Sequence, residues 1–486
     1  MGTRPGGGRG MIRLIGGEMP SWTEDQPAAG GALLRYVVEQ LPTDAEVLVA
    51  GPHDAALIEA LAARGPVTCL VRSQTEANAL AATGVDVLCG SLPKLDSERW
   101  DAVVALDGVG RLCSVEGPQL DWAESLAVLK RALRPGGTLL LTVENALGVH
   151  RLVDPATATA VQDDSAWRPL GEFDDSRPGT PARLTARLAD EGLTADWFGA
   201  VWPTPAAPTL ITTPAALDDG PAGALAALTA SALAVAYAEK SVLSDPRRLS
   251  SAAVRAGLGA ELAAGWLVVA HLAPRTAPVL QLPAVLLGDG PLGERALPEG
   301  RLLEELLLEA CLSGDLPALR RLLTGWMAAL PEATAENIVV DHDTFVALDP
   351  NVAAAPDALR RFARTLLTGG YAHPWPAFTE LSALTAILHG AAGLPGDYPA
   401  VMDGEDPLVP DSRREHEEQL RALRRELADA ASRAEFYEKL LTKREKELQK
   451  ARRQIAAFSD KAGYRFVKLG YGVARKARNR LRKGKK

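Results

Sequence analysis

The sequence of 486 residues has only four cysteines and no C-x-x-C pair, so neither a disulfide framework nor a thiolate metal site is written into it. Cys69, Cys89, Cys113 and Cys311 stand apart, two of them inside apolar strand-like runs, which is the pattern of reduced thiols in a cytoplasmic protein. The seven histidines show no H-x-H or H-x-x-x-H spacing, and no metal is expected. The start, "MGTRPGGGRGMIRLIGG", lacks the apolar core of a secretory signal, and residues 1–30 read as a disordered leader. An uncharged alanine-rich run, Ala222 to Ala238, is too short and too weakly apolar for a bilayer anchor and reads as a buried helix.

What is present is an ordinary globular composition, 47% hydrophobic and 23% charged, sufficient for two or three domains. Charge is divided unevenly. Residues 411–486 hold 24 Lys and Arg against 11 Asp and Glu, a net +13, whereas the whole chain carries −8. An acidic body bearing a basic tail suits a tail that meets an anionic surface.

From Val47 onward the pattern alternates. "VLVA" ends at Gly51 and is followed by a helical run from Ala55 to Arg64. "PVTCLV", "VDVLCG", "WDAVVALDGVG" and "TLLLTVEN" are further strands separated by helices of about ten residues. Such alternation predicts an α/β fold with a parallel sheet and helices on both faces. "TADWFGAVWP" and "TLITTP" read as two closing antiparallel strands. Residues 216–400 mix strand-like "GWLVVAH" with amphipathic helices and read as an α+β companion module, within which "ENIVVDHDTFVALDPN" is a hairpin.

The element order, the "LRPGG" turn before the fifth strand and the "VENALGVHRL" that follows it resemble class I S-adenosylmethionine-dependent methyltransferases over about residues 31–215, a bacterial subgroup of which has an E-N-x-L-G segment at this point. The resemblance implies a Rossmann-like seven-stranded sheet, S-adenosylmethionine as cofactor, and a sugar hydroxyl or glycan precursor as methyl acceptor. It places Gly51, His53, Asp54, Arg72, Ser73, Ser91 and Asp107 at cofactor-binding positions, with Glu144 and His150 as candidate catalytic bases past the fifth strand. This chain departs from the family at those same positions. Val49 stands for the acid that ends the first strand, His53 and Ala55 for two loop glycines, Arg72 and Ser73 for the acid that accepts the ribose hydroxyls, and Ser91 for an aspartate. Arginine has no acceptor to offer a diol. Two readings stay open: a rebuilt cofactor pocket, or a methyltransferase-like scaffold without ligand.

After a linker at 401–411, residues 412–462 carry a seven-residue repeat. Positions 420, 427, 434, 441, 448, 455 and 462 are all apolar, as a coiled coil that joins copies of the chain requires. In the tail, residues 463–486, there is no acidic residue, and basic side chains alternate with Tyr464, Phe466, Leu469 and Tyr471. An anionic membrane surface is the expected partner and nucleic acid is not, giving a cytoplasmic protein peripheral to the inner membrane.

Overall fold

The computed structural model describes residues 10–24, 26–96, 100–154, 174–238, 240–272, 280, 282–292, 297–348, 357–394, 411–459 and 462–483. Its strands begin with β1 (Ile12–Gly16), β2 (Val47–Ala50), β3 (Val67–Val71), β4 (Asp86–Gly90), β5 (Trp100–Ala105) and β6 (Leu133–Glu144). There follow β7 (Thr194–Trp202), β8 (Leu210–Thr212), the short β9 (Ser241–Val242), β10 (Gly265–His271), β11 (Val285–Leu287) and β12 (Gly290–Pro291). All but β9 join one eleven-stranded sheet in the order β1-β4-β3-β2-β5-β6-β10-β7-β8-β11-β12.

From β1 to β6 every pair is parallel. Strand β2 is buried along its whole length and β3 along most of it, as sheets covered on both faces demand. Helices α1 (Ala32–Glu39), α2 (Ala55–Ala62) and α3 (Gln74–Ala82) cover one face, where Leu33, Val37, Leu57 and Leu61 meet Val47, Val49 and Cys69. On the other face lie α4 (Trp122–Ala132) and α6 (Pro181–Asp190), with Leu126, Leu129, Leu184 and Leu188 packed on Leu48, Leu70 and Val103; the short α5 (Val149–Val153) follows β6. The α/β class and the parallel core are as the alternation predicts.

Three expectations are corrected. Residues 1–9 and 25 lie outside the described residues, but 10–24 and 26–30 of the expected leader are part of the folded unit. Ile12–Gly16 alternates strand-forming residues and pairs with the open edge of β4, after which residues 17–31 cross the carboxyl ends of the strands. The boundary at 215/216 is not structural. Gly265–His271 inserts antiparallel between β6 and β7, because a strand buried at every position needs neighbours on both edges and cover on both faces. The sheet also exceeds seven strands, since β1 extends one edge and β8, β11 and β12 the other.

The alanine-rich segment forms a buried helix, as expected. After α7 (Pro214–Asp219), α8 (Ala222–Tyr237) is apolar nearly all round and is buried against α9 (Pro246–Arg255) and the β7–β8 edge, while α10 (Gly259–Leu262) leads into β10. The remaining small sheet, β13 (Arg301–Leu302), β14 (Ile338–Asp341) and β15 (Thr344–Ala347), packs with α11 (Leu303–Ser313), α12 (Leu316–Ala329), α13 (Ala358–Thr368) and α14 (Leu381–Ala391) around Trp326 and Phe362. The expected hairpin forms: β14 and β15 are antiparallel, with His342 at positive φ in the turn. Asp411–Ser412, as β16, pairs with β9.

Residues 1–415 form one compact unit and residues 416–486 a second. The second is helical: α15 (Arg413–Ser459) runs for 47 residues and α16 (Ala462–Lys483) for 22. Among the described residues no helix is long and apolar enough to cross a membrane.

Candidate functional site

In an open parallel sheet, ligands sit beyond the carboxyl ends of the strands, beside a strand-to-helix turn. Here that position is held by the chain's own residues 17–31. The Met19 amide donates to the Arg72 carbonyl, and the Gln74 amide donates to the Met19 carbonyl. Further along, the Ala29 amide donates to Pro52 O, the Asp54 amide to Ala29 O, and the Gly30 amide to Ala206 O. The segment is thus fastened across β3, β2 and the β7–β8 loop, with Met19 and Trp22 buried beneath it.

Every residue proposed for the cofactor has an internal partner in this arrangement. Gly51 turns the chain at φ 94°, a left-handed conformation that a side chain would strain, and a Cβ there would meet Leu112 Cδ2 at 3.4 Å and Asp107 Cβ at 3.6 Å. His53, 5% exposed, bridges two strand ends: its Nδ1 lies 2.9 Å from Gly51 O, and its Nε2 accepts the Leu106 amide at 3.1 Å. A nitrogen that accepts a backbone N–H carries no proton, so the imidazole is neutral with the hydrogen on Nδ1. Burial is the main cause that lowers its pKa to about 4, with the Arg111 charge adding to it.

Asp54 caps α2, its Oδ1 accepting from the Leu57 amide at 2.7 Å and its Oδ2 from the Gly31 amide at 3.0 Å. No side chain fits at Gly30, because an added Cβ would lie 1.9 Å from that same Oδ2.

Arg72 takes the place where an acid would receive a ribose. Its Nε and Nη2 donate to the two oxygens of Glu24 at 2.8 and 3.0 Å, its Nη1 donates to Cys113 O at 3.0 Å, and its guanidinium lies 5.0 Å from the Trp22 ring centroid. Ser73 caps α3 and donates its hydroxyl to Trp22 O at 2.8 Å. Ser91 is fully buried and accepts the Ser114 amide at 3.0 Å. Asp107 forms a two-point pair with Arg111, whose remaining donors reach Gln26 O at 3.0 Å and Pro27 O at 2.9 Å. Arg111 also stands 3.9 Å from the Glu24 carboxylate.

These residues do not fit S-adenosylmethionine. A diol needs an acceptor where Arg72 already holds Glu24, and Leu112 and Asp107 stand at van der Waals distance from the Gly51 turn. Trp22, Glu24 and Arg111 were not singled out in the sequence. The only signal was general: a cation such as Arg72 at the end of a buried strand needs an anion, and nothing in the sequence marks "SWTEDQ", 48 positions earlier, as its source. Glu76 was missed too. Burial, with the Glu24 and Asp107 charges in the same direction, pushes its carboxyl up to about 7.

Glu144 and His150 do come together at the end of β6, with His150 Nε2 3.0 Å from Glu144 Oε1. Arg151 Nε donates to that oxygen at 2.9 Å, and Arg177 lies 3.6 Å from Oε2. Burial alone would raise the carboxyl, but the His150 hydrogen bond and the Arg151 and Arg177 charges outweigh it and hold the pKa at about 2. A carboxylate so acidic is a fixed anion and a weak base at neutral pH, which corrects the role expected of Glu144. Asn145 ties down the turn: its Nδ2 donates to Glu261 O and Ala263 O and its Oδ1 accepts the Leu147 amide. All four cysteines are buried free thiols.

No protein-family model and no curated protein matches the chain. Solved structures similar to it include the Burkholderia thailandensis 1,6-didemethyltoxoflavin-N1-methyltransferase, with bound 1,6-didemethyltoxoflavin and S-adenosylhomocysteine (14% identical, covering 48% of this chain and 72% of that one, TM-score 0.26). They also include the [4+2]-cyclase SpnF (14% identical, 50% and 80% covered, TM-score 0.27) and the CcbJ methyltransferase of Streptomyces caelestis (16%, 34% and 86%, TM-score 0.24). By its own strand order the chain has an α/β fold whose parallel Rossmann-like core is like that of methyltransferases.

Proposed function

We propose that the chain is a scaffold on a methyltransferase-like fold, closed at the cofactor position by its own residues 17–31 and assembled with further copies through α15. The observation that carries this reading is the pairing of Arg72 and Arg111 with Glu24 and Asp107, which engages both guanidiniums at the strand ends within the molecule. Methyl transfer to a sugar hydroxyl is the competing reading. It draws on the Glu144–His150 pair, and it requires residues 17–31 to leave and a base other than Glu144.

Calorimetric titration separates the two. The full chain is expected to give no heat with S-adenosylmethionine or S-adenosylhomocysteine at millimolar concentration. Micromolar binding that disappears in Asp107→Ala would establish a cofactor site and end the scaffold reading.

Assembly through α15 rests on the exposed apolar series Leu420, Leu427, Leu441, Leu448 and Ile455 at seven-residue spacing. Light scattering of the full chain is expected to give a multiple of 51.4 kDa, and Leu427→Glu, Leu441→Glu, Leu448→Glu to give the single-chain mass. A single-chain mass for the unaltered protein would remove the coiled coil.

A further inference from the structure

The apolar series of α15 does not continue along α16. Seven-residue steps from Ile455 pass through Leu469 to Lys476, and steps from Phe458 pass through Gly472 to Asn479, so the seam loses its apolar character. A different face takes over. Phe466, Leu469, Val473 and Ala477 recur at spacings of three and four, the helical repeat, and Phe466, Leu469 and Val473 are among the most exposed large apolar side chains of the protein. Lys468, Arg475 and Arg478 lie on the opposite side of the wheel, Lys476 flanks the apolar face beside Leu469, and the helix contains eight Lys or Arg and no Asp or Glu. Glycines at 463, 470 and 472 leave stretches of backbone thinly covered, and Tyr471 lies among the cations on the basic side.

A partner helix in a coiled coil reads a narrow seam with charges of both signs beside it. This helix instead has an exposed apolar face accompanied by charge of a single sign, which complements a surface that is apolar just beneath a layer of negative charge. We propose that α16 lies in the plane of an anionic lipid bilayer surface, with Phe466, Leu469 and Val473 inserted among the acyl chains and Lys468, Arg475 and Arg478 at the phosphate level. The inference is independent of the cleft, and it stands whether or not the chain binds a cofactor. It assigns the basic tail a lipid partner and makes any assembly formed by α15 a multivalent membrane binder, since linked copies raise the effective concentration of one another's helices.

The test uses the full-length protein floated with vesicles of phosphatidylcholine alone or of phosphatidylcholine with 30% phosphatidylglycerol. Recovery with the anionic vesicles is expected to exceed that with neutral ones by at least tenfold, and to fall severalfold between 0.1 and 0.5 M salt as the Debye length shortens from about 10 Å. Phe466→Ser, Leu469→Ser, Val473→Ser keeps every charge, and it is expected to lose tenfold or more of the anionic binding, with circular dichroism confirming retained helix. Lys468→Gln, Arg475→Gln, Arg478→Gln is expected to lose severalfold of the preference for anionic over neutral vesicles. Unchanged flotation of the serine variant would overturn the proposal. So would single-stranded RNA binding the full chain and its serine variant equally while the anionic vesicles fail to float either, because charge without insertion marks a nucleic-acid ligand.

Discussion

Replacing Glu24 by alanine is expected to destabilise the main unit by about 3–5 kcal/mol, the usual consequence of leaving buried charges without their counter-ion. The side chain of Arg72 is only 2% exposed and that of Arg111 6%, and Glu24 is the carboxylate between them. Without it, Arg72 loses both carboxylate acceptors while keeping the Cys113 O contact, and the nearly buried guanidinium faces the like charge of Arg111. Urea titration measures the loss. Hydrogen exchange locates it, since the Met19, Ala29 and Gly30 amides report fastening of residues 17–31, and their protection is expected to fall ahead of the β2 and β3 amides. Glu24→Leu combined with Arg72→Met is expected to recover more than half of the loss, because an apolar pair of similar volume needs no solvation. A change under about 0.5 kcal/mol in the single variant, the ordinary range for surface substitutions, would mean that the pair does not hold the segment. Loss of protection at Met19 without cofactor binding would also show that removing the cover is insufficient to restore a pocket.

Acid is expected to weaken the protein through His53. The folded imidazole has a pKa of about 4 against the ordinary 6.5, so between these values the unfolded chain takes a proton that the folded chain refuses. Stability tied to the neutral imidazole is therefore complete above about pH 6.5 and is lost as pH falls to about 4, a decline of about 3 kcal/mol. His53→Asn removes this titration. The difference in urea midpoint between pH 7 and pH 4.5 is expected to shrink in the variant, and equal pH dependence in both proteins would refute the buried neutral imidazole. Glu76 acts in the opposite direction. Its folded pKa near 7 lies above the ordinary carboxylate value, so its contribution is complete below about pH 4.5 and is lost as pH rises through 7. Glu76→Gln is expected to flatten the alkaline side of the stability profile, which separates the two groups.

Both effects come from the same place, the carboxyl ends of β2 and β3, where burial, two guanidiniums and several carboxylates meet. Nothing in the local sequence reveals that concentration of charge. Arg72 and Asp107 read singly as an unsuitable and a suitable ligand for a cofactor. Their partners, Glu24 and Arg111, lie respectively 48 positions before Arg72 and four after Asp107. Glu144 was misjudged for a related reason: the carboxylate and His150 are close in sequence, but Arg177, which helps to fix the charge, approaches from beyond the stretch 155–173 that lies outside the described residues.

The sequence by itself determined the local and periodic features. Short β-branched runs bounded by Gly and Pro, such as Val67–Val71, read as strands buried on both faces, the spacing in Ala55–Ala62 and Trp122–Ala132 reads as helix, and their alternation as a parallel sheet. The same holds for the long helix at Arg413–Ser459, whose repeat is written residue by residue. Tertiary structure alone decided which segment lies over the strand ends, and which strand fills the gap between β6 and β7. Those outcomes depend on open edges and on unpaired charges that other parts of the chain leave behind. Ile12–Gly16 is a strand because β4 had an edge to offer, and residues 17–31 cross the sheet because Arg72 and Arg111 required Glu24 and backbone carbonyls there. Periodicity is a property of neighbours in sequence, whereas the counter-ion of a buried charge is chosen in three dimensions.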